Sequence, residues 1–301
     1  MQKMCGEVCI LVLSVIAGAM HVSPLLGQTE SDEALAVADR LLELGSYDAA
    51  ITEYKRFIFF NPRNERTGYA LHRMGLAYRA GYNWQEAIDA LRASILAAGR
   101  ARHASPLRIA DERRIVLATT LIASGNYSLA RLELLKVSES SEHPSLRFKS
   151  LYFIGIASLY MFDWDAAGEA LGDFYSVDPT KQMTQRAKEI DSVLLKVRQS
   201  HKSVRLAEFL STIFPGLGQI YAGDWRDGLN ALALNCLTMG FLANAIYRRD
   251  CKDAVLISSI SIRYYMGNIY RAEMDVRKYN ESLDRRNAAK VLSLVRADEP
   301  T

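Results

Sequence analysis

The chain has 301 residues, enough for two or three structural units. Half of it is hydrophobic and 24% is charged, a balance that favours a folded chain over a disordered one. A net charge of +3 over this length, with no basic stripe interleaved with aromatics, argues against nucleic acid as the main partner.

The first segment reads as a targeting sequence. Lys3 and the amino terminus precede an apolar run from Cys9 to Ala19, and Ala17-Gly18-Ala19 has the small-x-small form of a cleavage site. Cleavage near Gln28 is the alternative, and residues 1–28 are assigned to a signal peptide. The run is too short for a comfortable membrane span, and Glu7 weakens the basic start. An uncleaved N-terminal anchor is the competing reading. Of the four cysteines, Cys5 and Cys9 lie here, Cys236 in a long apolar segment and Cys251 in the polar loop after it. No CxxC motif or Cys/His cluster is present, so neither a metal nor a redox centre is expected.

Residues 29–180 carry an internal repeat. Four segments share a turn, an aromatic, a small residue three positions on and an apolar residue four further. They are Gly45-Ser46-Tyr47 with Ala50 and Tyr54, Asn83-Trp84 with Ala87 and Leu91, Gly125-Asn126-Tyr127 with Ala130 and Leu134, and Asp163-Trp164 with Ala167 and Leu171. The alanines stand 37, 43 and 37 residues apart. An alanine one turn into a second helix lets the first helix approach closely, and the aromatic fills the space beside the turn. Gly75 and Gly155 supply the matching small residue on the first helices. Pro62 and Pro179 stand where the first and fourth units must stop.

These residues resemble the tetratricopeptide repeat family over roughly half the chain. The first, second and fourth units fit best, while the third has Ala118 in place of the first-helix glycine. The resemblance implies a helical solenoid with a concave surface lined by first helices. It places Tyr69, His72 and Arg79 of the second unit on that surface, with Lys149, Tyr152 and Tyr160 of the fourth. Such a mixture of aromatics and bases would suit an extended, partly acidic peptide. The alternative is that Tyr152 and Tyr160 are packing residues, and that His72, without a second ligand-type residue nearby, is a plain surface side chain.

Residues 181–205 read as a polar helix with an apolar stripe at Ile190, Val193, Leu194 and Val197, suited to capping the solenoid. Composition then changes. Residues 206–272 hold an apolar stretch broken at Pro215-Gly216-Leu217-Gly218-Gln219, then an uncharged segment from Leu229 to Tyr247. A polar loop from Arg248 to Asp253 leads to a second apolar segment, Ala254 to Tyr270, interrupted by Arg263. Nineteen helical residues span about 28 Å, close to one hydrocarbon core. A charge at mid-membrane costs on the order of 3 kcal/mol on insertion scales, so the second segment spans less comfortably. A membrane-embedded helical hairpin is the leading reading. A buried helix pair in a soluble domain and an interfacial arrangement compete with it. Residues 273–301 read as a polar helix and tail, whose bases are matched by Glu273, Asp275, Glu281 and Asp284.

The run Pro215, Gly216, Gly218, Gln219, Tyr221 and Gly223, followed by two apolar segments, resembles the two-transmembrane-helix domain family and its Pro-Gly-x-Gly-Gln-x-Tyr-x-Gly signature. The resemblance covers about residues 203–282, and Arg263 departs from it. It implies membrane attachment and carries no catalytic residues.

The expected architecture is therefore all-α, a tetratricopeptide-like solenoid followed by a hydrophobic hairpin. No GxSxG elbow, HExxH, Walker loop or dinucleotide fingerprint occurs. Acid pairs such as Asp111-Glu112 fit helix capping better than acid–base chemistry. No catalytic residue, metal or cofactor is assigned. The function expected is a non-enzymatic scaffold of a bacterial cell envelope that binds a protein or peptide through its repeats. An exported start and two spans would hold it in the inner membrane with the repeats on the periplasmic side and the Arg248–Asp253 loop in the cytoplasm. The alternative is a regulatory subunit of a small membrane transport or assembly complex, with Arg263 lining its path.

Overall fold

A computed structural model describes residues 23–100, 106–177 and 181–300. Among them all regular structure is helical, with no strand. The predicted signal peptide lies mostly outside the described residues. Its last six, Ser23 to Gln28, belong to the first helix. Pro179 also lies outside them.

The helices are α1 Ser23–Glu43, α2 Tyr47–Phe60, α3 Thr67–Ala80, α4 Trp84–Arg100, α5 Pro106–Ala123, α6 Tyr127–Ser140, α7 Pro144–Tyr160 and α8 Trp164–Val177. They continue with α9 Lys181–Ser200, α10 Val204–Ile213, α11 Leu217–Ala222, α12 Trp225–Tyr247 and α13 Cys251–Val295. The chain divides into two compact units. The first holds the residues up to Met161 together with Glu169–Val177, and the second Phe162–Gly168 together with Asp178–Glu299.

In the first unit consecutive helices pack on one another from α1 up to the pair α6 and α7, α1 also touches α3, and α5 touches α7. The repeated small residues explain how closely they pack. Ala50, Ala87 and Ala130 are fully buried, as is Ala167 at the start of α8. A Cβ added to Gly75 would lie 2.7 Å from Leu91 Cγ, and one added to Gly155 would lie 2.6 Å from Leu171 Cδ2. The same glycine–leucine contact thus recurs in two helix pairs. Burying leucines such as Leu91 and Leu134 contributes about 1.5–3 kcal/mol each.

The turns inside the pairs share a second feature. Gly45, Tyr82, Gly125 and Phe162 all have positive φ, between 56° and 81°. Each stands five residues before a repeat alanine. After three of these left-handed residues the next amide reaches back to close the helix: Ser46 N–H to Leu41 O, Asn83 to Tyr78 and Asn126 to Leu121. This is the Schellman arrangement, which glycine adopts freely. Tyr82 and Phe162 adopt it at a cost of about 1–2 kcal/mol. Their rings pack on Trp84 and Trp164, at 5.7 and 6.5 Å between centroids.

In the second unit α13 is the spine. It runs 45 residues without a break, and α9, α10, α11 and α12 all pack against it. Its buried residues Ser261, Asn268, Ala272, Val276, Asp284, Ala288, Val291 and Val295 recur at helical spacing along one face. The change of composition at 272 is therefore no structural boundary, because Glu, Arg, Lys and Leu keep the chain helical. The predicted connector is also divided: α9 ends at Ser200, and α10 starts from the Ser203 cap, whose hydroxyl accepts from Leu206 N–H. The stripe Ile190, Val193, Leu194 and Val197 is buried as expected. It belongs to the second unit, with Leu194 meeting Gly168 and Arg186 pairing with Asp298. The Trp164 indole N–H donates to buried Asp284 at 2.9 Å, and His201 meets the same carboxylate oxygen.

Candidate functional site

The Pro215–Gly223 motif builds the junction of α10, α11, α12 and α13. Gly216 takes φ +100° at the start of α11, with the Gly228 carbonyl where a Cβ would stand. Gly218 faces Ser211, the Ala207 carbonyl and Ala272 so closely that no side chain fits. Its amide donates to Ser211 Oγ at 3.1 Å. Gln219 is 1% exposed, and its amide donates to the carbonyl and side-chain oxygens of Asn268, at 3.0 and 2.6 Å. The Tyr221 hydroxyl accepts from Ser203 N–H, and Gly223 closes α11 with φ +111°. Lys202 sits over the Tyr279 ring at 3.9 Å, and its ammonium reaches the Ala222 carbonyl. These residues join the helices. None of them forms a reactive cluster.

Beside this junction runs a groove of 640 Å³ between α12 and α13, lined by Asn230, Asn235, Arg263, Tyr264, Asp227 and Arg271 among others. Arg271 pairs with Asp227 at one end. Arg263, eight residues along α13, is about 12 Å from that end. It makes no ion pair among the described residues. Asn235 is buried, and the Ser261 hydroxyl and Asn268 side-chain amide nitrogen are buried without partners. Below Arg271, burial raises Asp275 above the usual carboxylate range, and the Asp224 and Asp227 charges push the same way against Arg271 and Lys278. Around the groove, large apolar side chains face outward, including Leu237, Phe241, Ile262 and Met266. Among the described residues α12 alone is long and apolar enough to cross a membrane, and little of it is buried. The second apolar segment, carrying Arg263, does not reach that threshold.

In the first unit the six predicted surface residues separate. Tyr69 is exposed, and its hydroxyl donates to Asp39 Oδ2 at 2.8 Å. Asp39 also accepts from Tyr54 and from Arg73 Nε, which lies 2.9 Å away. Burial alone would raise the Asp39 pKa, but these hydrogen bonds hold it below the usual value. His72 is half-buried with its Nδ1 unpartnered, and its pKa is lowered to about 4 by burial and by the Arg113 and Arg73 charges. Arg79 donates to Thr119 Oγ1 at 2.9 Å and is held in place by α5. Lys149 is half-buried on α7. Tyr160 is exposed and stacks on Tyr127 with centroids 4.9 Å apart.

Tyr152 departs from expectation. It is 2% exposed and packs against Phe153 and Phe174, so it belongs to the core and lines no surface. The physical reason is its place on the buried stripe of α7, between Ser150 and Ile154.

The first unit also holds a cleft of 360 Å³ that was not foreseen, lined by residues of α1, α3, α4 and α5 together with Glu65 and Arg66. Asp39, Gly68, Tyr69 and Arg113 belong to it. A signal for Arg113 exists in the repeat register. It precedes Ala118 by five residues, and the corresponding residues before Gly75 and Gly155 are Ala70 and Ser150, both fully buried. An arginine in a small, buried position marks a departure from the repeat. Compared with known protein families and with curated proteins, the chain has no match.

Proposed function

We propose that this chain is a non-enzymatic scaffold, in which a tetratricopeptide-like helical solenoid holds a protein or peptide and a C-terminal hydrophobic hairpin attaches it to a membrane. The observation that carries the reading is the contrast of surfaces in the second unit. α12 presents a long uncharged apolar face outward, with Leu237 and Phe241 each more than half exposed. Such a face is unfavourable in water and suits a lipid environment. The recurring glycine–leucine and buried alanine contacts of the first unit support the solenoid, whose surface would be free for a partner.

An exported, envelope-located protein with its repeats on the periplasmic side fits the sequence of residues 1–28. The decisive experiment is alkaline carbonate extraction of membranes expressing the full chain, combined with affinity capture from those membranes. Scaffold function requires that the chain stay in the pellet and retain a defined partner. A Lys149→Glu variant should weaken that capture while leaving membrane retention unchanged. Release of the intact chain by carbonate would refute membrane attachment, and capture of nothing above background would refute the scaffold.

The groove bearing Arg263 favours one second reading, a subunit of a small membrane transport or assembly complex. Under it, Arg263→Leu abolishes function while leaving insertion intact. Unchanged function in that variant would remove the reading.

A further inference from the structure

The cleft of the first unit contains a cation with no carboxylate in ion-pair contact. Arg113 is 9% exposed and forms no ion pair among the described residues. The nearby Glu112 charge acts on it, but that carboxylate is itself held by Arg108 at 3.0 Å. One of its nitrogens donates to the Ser94 carbonyl at 2.5 Å. A guanidinium carries five N–H donors, so most of its capacity is unused. Leaving a buried charge unpaired costs several kcal/mol unless solvent or a ligand reaches it.

The surroundings are shaped to let a ligand reach it. A Cβ at Gly68 would stand 3.0 Å from Arg113 Nη1 and 3.1 Å from the Ala97 methyl. Glycine at 68 and alanines at 97 and 98 therefore hold open the space in front of the guanidinium. Of the acids lining the cleft, Asp39 is already bound by Tyr54, Tyr69 and Arg73 and is neutralised by Arg73. The remaining lining charges, Glu65 and Arg66, cancel formally, which leaves one positive charge on Arg113.

We propose that this cleft binds a carboxylate group of the partner, held by the fork of the Arg113 guanidinium. A planar monoanion matches both the single excess charge and the paired N–H donors. A phosphate dianion would carry more negative charge than the Arg113 guanidinium offsets, in a cleft that Asp39 and Glu65 also line. The inference deepens the scaffold reading, and rests on it for the identity of the molecule that carries the carboxylate. His72, one turn beyond Gly68 on α3, feels the Arg113 charge and provides a reporter.

The test uses the full chain in detergent with isotope-labelled histidine, titrated with sodium acetate against sodium chloride at constant ionic strength and pH 7. Acetate should shift the His72 ring resonances saturably, and chloride should not. In Arg113→Gln, acetate should bind on the order of tenfold more weakly. Arg113→Lys, which keeps the charge and loses the fork, should fall between the two and serves if Arg113→Gln does not fold. No saturable shift in the folded wild-type chain, or equal affinity in the folded variants, overturns the proposal. Three versions of one short peptide then separate the sources: a free C-terminus, an amidated C-terminus, and an amidated peptide with an internal Glu. Binding of the first alone assigns a terminal carboxylate, and binding of the third an acidic side chain. Binding of acetate with none of the peptides excludes a peptide carboxylate and overturns the proposal. The scaffold reading is decided separately, by capture of a partner from membranes.

Discussion

The two units differ in what they bury beside their apolar cores and in what they expose. In the first, the interior is mostly apolar: Ala50, Leu91, Ala130 and Leu134 are fully enclosed, and among the described residues Asp111 and Arg113 are its buried charged side chains. In the second, the helices from α10 to α13 enclose Gln219, Asn235, Ser261 and Asn268 and turn Phe241, Ile262 and Met266 outward. Water drives the first arrangement, since burying each apolar side chain there is favourable. It accounts for only part of the second, where Ala207, Ala222, Ala272 and Val276 form an apolar cluster. Hydrogen bonds such as Gln219 to Asn268 and close glycine contacts also hold those helices together, the forces available to helices in lipid. One chain therefore uses two rules of packing, and the surroundings expected for each unit follow from what it hides.

The largest effect that would test this contrast is at Gly216. Gly216→Ala combines a left-handed backbone with a clash against the Gly228 carbonyl, and should destabilise the second unit by about 3–5 kcal/mol. Denaturant unfolding of the detergent-solubilised chain, followed by near-ultraviolet circular dichroism, would measure it. A loss below 1 kcal/mol (about one fifth of the upper value) would mean that the α11–α12 approach is not tight.

A leucine pair sharpens the comparison directly. Leu91→Ala in the first unit should cost about 2–5 kcal/mol, because it empties a closed core beneath Gly75. Leu237→Ala in the second should change stability in detergent by less than about 0.5 kcal/mol, since Leu237 is 56% exposed. Equal losses at the two sites would remove the distinction between the units.

His72 gives an effect of similar or smaller size. Its folded pKa of about 4 lies below the ordinary value of 6.5. The unfolded chain therefore takes up a proton first as pH falls. Stability contributed by neutral His72 is complete above pH 6.5 and is lost as pH drops from there toward 4. The loss amounts to up to about 3 kcal/mol. His72→Gln should flatten this part of a stability–pH curve measured by thermal melting, and an unchanged slope would show that other groups control it.

The smallest effect concerns the turns. Tyr82→Gly removes a left-handed tyrosine and also its contact with Trp84, so stability should change by less than about 1 kcal/mol. Gly45→Ala, at the equivalent turn, should destabilise by about 1 kcal/mol, as no ring contact offsets the strain. If the two substitutions behave alike, the four turns are not equivalent in the way their backbones suggest.

Much of the helical order was legible from the chain because packing leaves a trace in residue size. Alanine must recur where two helix axes approach, and Ala50, Ala87, Ala130 and Ala167 recur accordingly. The buried stripe of α9 was legible for the same reason. Other features left no comparable trace. Polarity changes at residue 272, but a helix ends only where capping or a breaker ends it, and neither occurs before Val295. Tyr152 looked like a surface residue because repeat register fixes the position along a helix, whereas burial depends on which neighbours close over it. Arg113 and Asp39 were missed because their significance lies in partners, the one lacking a carboxylate and the other gathering three donors from two helices. Such relations exist only in three dimensions.

The uninterrupted course of α13 also fixes a length. Forty-five residues make a rod of about 68 Å. If the part up to Tyr270 lies within a bilayer, the remaining twenty-five residues can extend about 38 Å beyond its surface. A tilt imposed at the lipid end would then be transmitted to the far end with little loss, because no hinge interrupts the rod. The helix would act as both ruler and lever, setting how far whatever rests on its distal half stands off from the membrane.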